Sequence, residues 1–288
     1  MRILFEFGEN DKDTSVKNFA DSTDLTSSDD VHTPARDFNS ASWKYALCTA
    51  LLAVSIVVRP ISNWIDTQSV IQQVVALVNP QASQMPNSLA VRLYHAMQRK
   101  GYEVSLGEGE VNIIYIRGAD QFGRPNGNRI NEWSDRRIVL QFRSGSPVIA
   151  GNWAATVKPG LPAIKNPLGK SGAAFIEPGQ YRAWQVGSHH GIFGRVEEGL
   201  VQVAPVSFRR DVSRDGNVNG EPVQSGKIGL NQHSGSNQRY VDASSYACLA
   251  AQSVLGHRSF MSVVKSDPRY HQNPNYLFAT TVLDVNDL

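Results

Sequence analysis

The fold is decided by the stretch Val111-Asn112-Ile113-Ile114-Tyr115-Ile116, a short run of β-branched and aromatic residues. Such residues favour strands because branched side chains pack well on a pleated surface. Further runs of this type follow at residues 137–142, 173–176 and 201–206. Turn segments rich in Gly, Pro and Asn separate them, at residues 123–127, 144–147 and 178–179. The pattern predicts a mainly β domain over residues 102–288, with a few helices attached.

Two helices are predicted immediately before this domain, within residues 66–101. In the first, apolar positions recur at helical spacing over residues 67–77, and Asn79-Pro80 ends the run. In the second, Asn87 is the predicted N-cap and Gly101 the C-terminal stop. Its apolar stripe consists of Leu89, Leu93, Ala96 and Met97. We interpret these residues as a helical lead-in to the β domain.

The N-terminal part of the chain divides into a polar and an apolar segment. Residues 1–42 are rich in Asp, Ser and Thr and predict a disordered acidic tail. Residues 43–65 are the most apolar window, but the uninterrupted stretch over 45–58 is shorter than the roughly 20 residues of a spanning helix. Extension to Trp64 reaches that length only across Arg59-Pro60. A short membrane anchor, a signal-type core and a buried helix all stay open here.

The charge balance and the cysteines exclude some functions. The 28 Lys and Arg residues and 26 Asp and Glu residues give a net charge of +2, too small to indicate a nucleic-acid partner. We therefore expect no binding to nucleic acid. The two cysteines, Cys48 and Cys248, lie in an apolar run and a polar loop, so we expect no disulfide between them. Cys248 is then free to react.

Two segments have some features of a metal site. Residues 211–220 alternate oxygen-bearing side chains as a calcium loop does, but Pro222 stands where the closing Glu should be. An ordinary Asp/Asn/Gly hairpin explains that pattern as well. His189 and His190 are adjacent, so a strand would point them to opposite faces, and no zinc ligand set completes them. We expect no metal and no cofactor, and at most one of these histidines in a cleft.

The candidate site is the pair His233 and Cys248, found in Asn231-Gln232-His233-Ser234 and Ser245-Tyr246-Ala247-Cys248. An imidazole brought to the thiol across the intervening loop can form a thiolate and imidazolium pair near neutral pH. Small residues around Cys248 allow a carbonyl substrate to approach the backbone, whose N–H groups can stabilise an oxyanion. A buried structural cysteine is the alternative interpretation.

These segments resemble the signature of the L,D-transpeptidase (YkuD-type) family, a His at a strand end followed by Ser-His-Gly-Cys. His233 takes the first place, and Ser245-Tyr246-Ala247-Cys248 takes the second. A closer similarity is to a group of bacterial and cyanobacterial relatives of that family in which a Gly-Ile-Asn-Gln/Ile-His stretch precedes Ser-Ala-Gly-Cys. The similarity covers roughly residues 88–285 and includes residues 112–118, 178–181, 210–216, 267–270 and 278–282.

The resemblance implies a β-sandwich-like catalytic domain that acts on peptidoglycan stem peptides. In that family the cysteine attacks the carbonyl of the third peptide residue, releases terminal D-alanine and passes the acyl group to an amine or to water. On this chain the resemblance implies Cys248 as nucleophile, His233 as its base and Ser234 as the residue that orients His233. The candidate substrate contacts are Ser245, Tyr246 and His189. A location in the cell envelope is also implied, on the periplasmic side, with residues 45–58 as a membrane anchor.

The chain departs from the family motif in three respects. Tyr246 replaces the motif's histidine, Ala247 replaces its glycine, and the arginine usual shortly after the cysteine is missing. If the turn needs a positive φ, alanine costs about 1 kcal/mol there. Two functions therefore stay open. One is an L,D-transpeptidase-like cysteine acyltransferase, and the other is a catalytically inactive peptidoglycan-binding or structural module of an envelope or phage assembly.

Overall fold

The computed structural model describes residues 88–191 and 194–288. The predicted acidic tail at 1–42, the apolar segment at 43–65 and the helix at 67–77 lie outside the described residues. Within the described ranges, no helix has both the length and the apolar character needed to cross a membrane.

The first helix, α1 (Leu89–Arg99), is the second of the two predicted helices. Its N-cap is Ser88, one residue beyond the predicted Asn87, because the Ser88 Oγ accepts from the Val91 backbone N–H at 3.4 Å. The helix buries Ala90, Leu93, Ala96 and Met97, which confirms most of the predicted stripe. Gly101 follows with a φ of +68°, the left-handed conformation that ends many helices.

Eight strands close into a barrel in the order β1-β11-β5-β6-β9-β10-β3-β2. The prediction of a mainly β domain is confirmed, but these strands form one closed sheet where the resemblance led us to expect two facing ones. Most neighbours are antiparallel, whereas β1 with β11 and β9 with β10 are parallel pairs. The barrel strands are β1 (Asn112–Arg117), β2 (Asp135–Arg143), β3 (Ser146–Thr156), β5 (Gly179–His190), β6 (Val196–Gln202), β9 (Gln232–Ser234), β10 (Leu249–Ala251) and β11 (Phe278–Asp284).

A separate three-stranded sheet has the order β4-β7-β8, formed by β4 (Ala173–Ile176), β7 (Val206–Asp211) and β8 (Gln224–Gly226). The predicted single run at 201–206 is wrong in one respect, since it spans the end of β6 and the start of β7. Pro205 lies in the break and has no N–H for a strand ladder, while the Val203 N–H donates to the Ala183 carbonyl at 2.8 Å.

The two faces of β1 explain why its sequence is apolar throughout. Ile113 and Tyr115 pack into the main core inside the barrel, whereas Ile114 and Ile116 pack with α1 in a second core outside it. A strand buried on both faces loses the alternation of polar and apolar residues. Residues 111–116 therefore contribute to both hydrophobic cores of the domain.

The longest described helix is C-terminal, which corrects the expectation that the helices would be N-terminal. This helix, α3 (Val254–Lys265), begins at the N-cap Ser253 and sends Phe260, Met261 and Val264 into the main core. Two short helices accompany it, α2 (Leu161–Lys165) and α4 (Pro268–Gln272). Single turns of 3-10 helix occur at Asp242–Ser244 and Val285–Asp287.

Candidate active site

The parallel pairing of β9 and β10 places the strand that carries His233 beside the strand that directly follows Cys248. Ala250 lies opposite His233 in the register, and Cys248 precedes Ala250 by two residues. Cys248 itself lies in the bend directly before β10, and no hydrogen bond joins its thiol to His233 among the described residues. Leu249 and Gln232 point into the barrel. The two motif segments are therefore adjacent in the fold.

The ring orientation of His233 is fixed by its neighbour. Its Nδ1 lies 2.6 Å from the Ser234 carbonyl oxygen, which can only accept, so Nδ1 carries the proton. The lone pair is then on Nε2, the form that a general base requires. The resemblance implied that Ser234 orients His233, and the contact in the structure is made by the Ser234 backbone carbonyl.

His189 covers His233 from the neighbouring part of the barrel. The two imidazole rings are stacked, with centroids 4.1 Å apart and planes within 7°. Asn231 fixes the second ring, because its Nδ2 lies 3.1 Å from the His189 Nδ1 while its Oδ1 accepts from the Gln202 backbone N–H. The His189 proton is therefore on Nε2. His189 is buried and His190 exposed, as expected for adjacent residues on a strand.

Gly199 makes room for this arrangement. A Cβ at this position would lie 2.6 Å from the Gln232 carbonyl oxygen and 3.7 Å from the His189 Cβ. The first distance is too short for any real contact, so β6 can approach β9 this closely only with glycine at 199. The close approach holds His189 over His233.

Cys248 is half-buried and its thiol is not hydrogen bonded to His233. The Sγ donates to the Gly229 carbonyl oxygen at 3.4 Å. Burial raises the pKa of the Cys248 thiol to about 11, and the Asn231 backbone N–H opposes this rise. The thiol is therefore protonated at neutral pH.

The imidazole of His233 is also uncharged at rest. Burial, together with the neighbouring His189, Arg137 and Arg195, lowers the pKa of His233 to about 3. The structure thus differs from the expected thiolate and imidazolium pair. Its resting pair is a neutral thiol and a neutral base, because the site excludes the water that would solvate either charge.

The turn before Cys248 leaves three backbone donors near the thiol. Ser245 is buried and donates its hydroxyl to the Cys248 carbonyl at 2.9 Å, while its own carbonyl accepts from the Gly160 N–H. The structure thus places Ser245 inside the turn. Ala247 is not among the residues with positive φ, so replacement of the motif's glycine causes no backbone strain. Within the described residues, the N–H groups of Tyr246, Ala247 and Cys248 have no protein acceptor.

Sequence reasoning missed the charged residues that surround His233. Glu197 accepts from the Ser234 hydroxyl at 2.7 Å and from the Ser234 N–H at 3.2 Å, and its Oε1 lies 3.8 Å from the His233 Nδ1. Arg195 donates to the Ser234 hydroxyl at 2.7 Å and to the Gly235 carbonyl at 2.9 Å. Glu197 lies on β6 and Arg195 directly before it, far from the motif in sequence. Two residues of opposite charge close together at the start of one strand were the available signal in the sequence.

Arg137 supports the site from inside the barrel. This fully buried guanidinium donates to the carbonyls of His233 and Leu249 at 3.1 and 3.0 Å, and so joins the two strands that carry the pair. Its Nη1 lies 3.0 Å from the His257 Nδ1, and its guanidinium lies over the Phe260 ring. The site thus has a rigid inner support.

The calcium-like segment folds as the hairpin alternative requires. The Asp211 carboxylate accepts from the N–H groups of Asp215 and Gly216, and the Asp215 side chain accepts from the Asn217 N–H. These carboxylates are occupied in turns. Within the part of the chain that the structure describes, no group of three or more His, Cys, Asp or Glu residues could hold a metal ion.

The fold and this site together define a mainly β barrel with a histidine and cysteine pair on two parallel strands. Comparison of the chain with protein-family models, with curated proteins and with solved structures found no match.

Proposed function

We propose that the protein is an L,D-transpeptidase-like cysteine acyltransferase. The observation that carries this proposal is the tautomer of His233: its Nδ1–H is held by the Ser234 carbonyl, which leaves Nε2 basic, on a strand paired with the one that directly follows Cys248. Free backbone N–H groups in the turn before the thiol supply the donors that an oxyanion needs.

The reaction begins when a peptide carbonyl reaches Cys248. The thiol proton moves to the His233 Nε2 while Sγ bonds to the carbonyl carbon, and the turn N–H groups bind the oxyanion. The C–N bond then breaks, and His233 returns the proton to the leaving amine. A thioester remains. An acceptor amine or water attacks it, gives its proton to His233, and leaves the acyl product and the Cys248 thiol.

Formation of charge during the first step is compatible with the neutral resting pair. The proton transfer creates thiolate and imidazolium side by side, so neither charge arises alone in a buried site. Glu197, 3.8 Å from the His233 Nδ1, is placed to stabilise the transient imidazolium. The neutral resting state keeps the thiol unreactive until a substrate is bound.

Peptidoglycan stem peptides are the proposed substrates, on the basis of the motif resemblance. The same resemblance supports a location in the cell envelope, on the periplasmic side, with residues 45–58 as the anchor. His189 and Tyr246 are the proposed substrate contacts beside the pair. His189 stacks on His233, and Tyr246 lies two residues before Cys248 in the chain.

Release of D-alanine from tetrapeptide muropeptides tests the proposal. The full chain is incubated with the muropeptides, and products are followed by mass spectrometry. We expect release by the parent protein, none with Cys248→Ala and a loss of at least a hundredfold with His233→Ala, a range typical of general-base removal (about 10²–10⁴). His190→Ala is the matched control, because His190 is exposed and points away from His189. Release that persists in Cys248→Ala would refute the mechanism.

A catalytically inactive peptidoglycan-binding module is the second candidate. The specific observation in its favour is the thiol, which donates to the Gly229 carbonyl and is protonated at neutral pH. This candidate predicts that isolated sacculi retain the protein without a change in their muropeptide profile, and that Cys248→Ala is retained equally well. Failure of retention counts against it.

A further inference from the structure

A cleft of about 430 Å³ lies at the C-terminal ends of β9 and β10. Its walls combine two aromatic rings, two guanidinium groups and amide side chains, supplied mainly by Trp133, Tyr240, Arg129, Arg239 and Gln252. The volume is within the range of about 300–1,000 Å³ typical of small-molecule sites. This cleft is separate from the turn that holds Cys248.

The aromatic walls are held in place before any ligand arrives. The Trp133 indole N–H donates to the Gln238 carbonyl at 2.9 Å, and its ring lies so close to Gly235 that a Cβ there would be 2.5 Å from the ring. The Arg239 guanidinium stacks on the Tyr240 ring at 5.3 Å from the centroid. Tyr240 is nevertheless 42% exposed. A flat, fixed and accessible surface of this kind suits a ring-shaped ligand with polar edges.

The polar groups of the cleft are only partly used by the protein. Arg129 pairs with Glu132 at 3.6 Å, whereas Arg239 has no carboxylate partner among the described residues. The Gln252 Nε2 donates to the Gln238 carbonyl, and its Oε1 has no protein donor within the described residues. A donor and an acceptor therefore remain available beside the aromatic rings. Hydroxyl and acetamido groups of a sugar need both.

The position of the cleft matches the geometry of the proposed substrate. Cys248 directly precedes β10 and Gln252 directly follows it, so they are four positions apart in the chain and span at most about 14 Å when extended. Three residues of extended peptide span about 10 Å, the length from the attacked carbonyl of a stem peptide to its sugar-linked end. When that carbonyl is at Cys248, the sugar can reach the cleft.

We infer that this cleft binds the saccharide end of the substrate, an amino sugar whose ring stacks on Tyr240 and whose polar groups meet Arg239 and Gln252. The inference rests on the proposed function, because it assigns the part of a peptidoglycan substrate that the acyl-transfer site does not contact. A substrate that carries the sugar is therefore held more tightly than the same peptide without it.

Calorimetric titration of the full chain tests this inference independently of turnover. Two ligands are compared in the Cys248→Ala background, which prevents acyl transfer: a disaccharide tetrapeptide and the free tetrapeptide. We expect the disaccharide tetrapeptide to bind about five- to tenfold more tightly, the size of one good aromatic contact. The double variant Arg239→Ala and Tyr240→Ala should remove that difference.

The matched control is Arg124→Ala, which removes another exposed guanidinium stacked on an aromatic ring, that of Phe122. It should keep the preference for the sugar. Three results would each overturn the inference. They are equal affinity of the Cys248→Ala protein for the two ligands, a preference for the sugar that persists after Arg239 and Tyr240 are also replaced, and no binding of either ligand. A parent protein that prefers the sugar but releases no D-alanine would instead contradict the proposed transferase and keep the saccharide site.

Discussion

The Cys248 thiol should react slowly with alkylating reagents, and its rate should rise steeply with pH. Burial raises its pKa from the ordinary value of 9.0 to about 11. At pH 8 this change lowers the thiolate fraction about a hundredfold, but the more basic thiolate is intrinsically about eightfold more nucleophilic (Brønsted slope about 0.4–0.5). The net effect is a rate about tenfold lower than that of an unperturbed thiol.

Iodoacetamide labelling in a Cys48→Ser background measures this rate, because Cys248 is then the only cysteine. Labelling is followed by mass spectrometry from pH 7 to 10.5, and the same protein unfolded in urea is the unperturbed reference. The folded rate should rise about tenfold per pH unit up to pH 10 without a plateau. His233→Ala should change it less than twofold, since His233 does not hydrogen bond to Sγ. A plateau by pH 8, or a tenfold loss in His233→Ala, would show a preformed ion pair and refute the reasoning.

Three further predictions concern the support of the site. Gly199→Ala places a Cβ 2.6 Å from the Gln232 carbonyl and should destabilise the fold by about 1–3 kcal/mol in urea unfolding, while Gly169→Ala, where nothing lies within 4 Å of the added Cβ and φ is not positive, should show no such clash. Arg137→Met leaves the carbonyls of His233 and Leu249 without their donor and should cost about 3 kcal/mol or more; an unchanged urea midpoint would contradict this role. Burial is the main cause that lowers the pKa of both His233 and His257 to about 3, below the unfolded value of 6.5, and the next cause is His189 for His233 and the charge of Arg137 for His257. The unfolded state therefore binds more protons as the pH falls below 6.5, and each histidine should cost about 2.5 kcal/mol of stability between pH 7 and 4.5. His257→Gln should reduce that pH dependence, and an equal dependence in the variant would contradict it.

The sequence predicted the fold class and much of the local structure for clear physical reasons. Runs of β-branched residues identified β1, β2 and β4, and the helical stripe identified α1, because these signals are local. Closure of the barrel depends on the pairing of β1 with β11, strands more than 150 residues apart in the chain. No periodicity within either strand encodes that pairing.

Prediction of the site had the same limit. His233 and Cys248 were found because they belong to one short motif, and the loop between them brings parallel strands together. Glu197 and Arg195 reach Ser234 from β6, and neither has a motif of its own. The charge state was also beyond the sequence, because burial decides it and burial is a property of the folded barrel.

The arginine that the family motif places shortly after the cysteine illustrates how a site can be completed from elsewhere in the chain. Positions 249–251 are Leu-Ala-Ala and all three are buried, so β10 itself has no room for a guanidinium. Arg137 instead comes from β2 and donates to the carbonyl of Leu249, the residue directly after Cys248, and to that of His233. The Arg137 guanidinium therefore contacts the backbone of both strands of the site from inside the barrel, although the chain has no arginine shortly after Cys248. Absence of a motif residue in sequence is thus weak evidence against activity when a buried residue of the same chemistry contacts the same backbone.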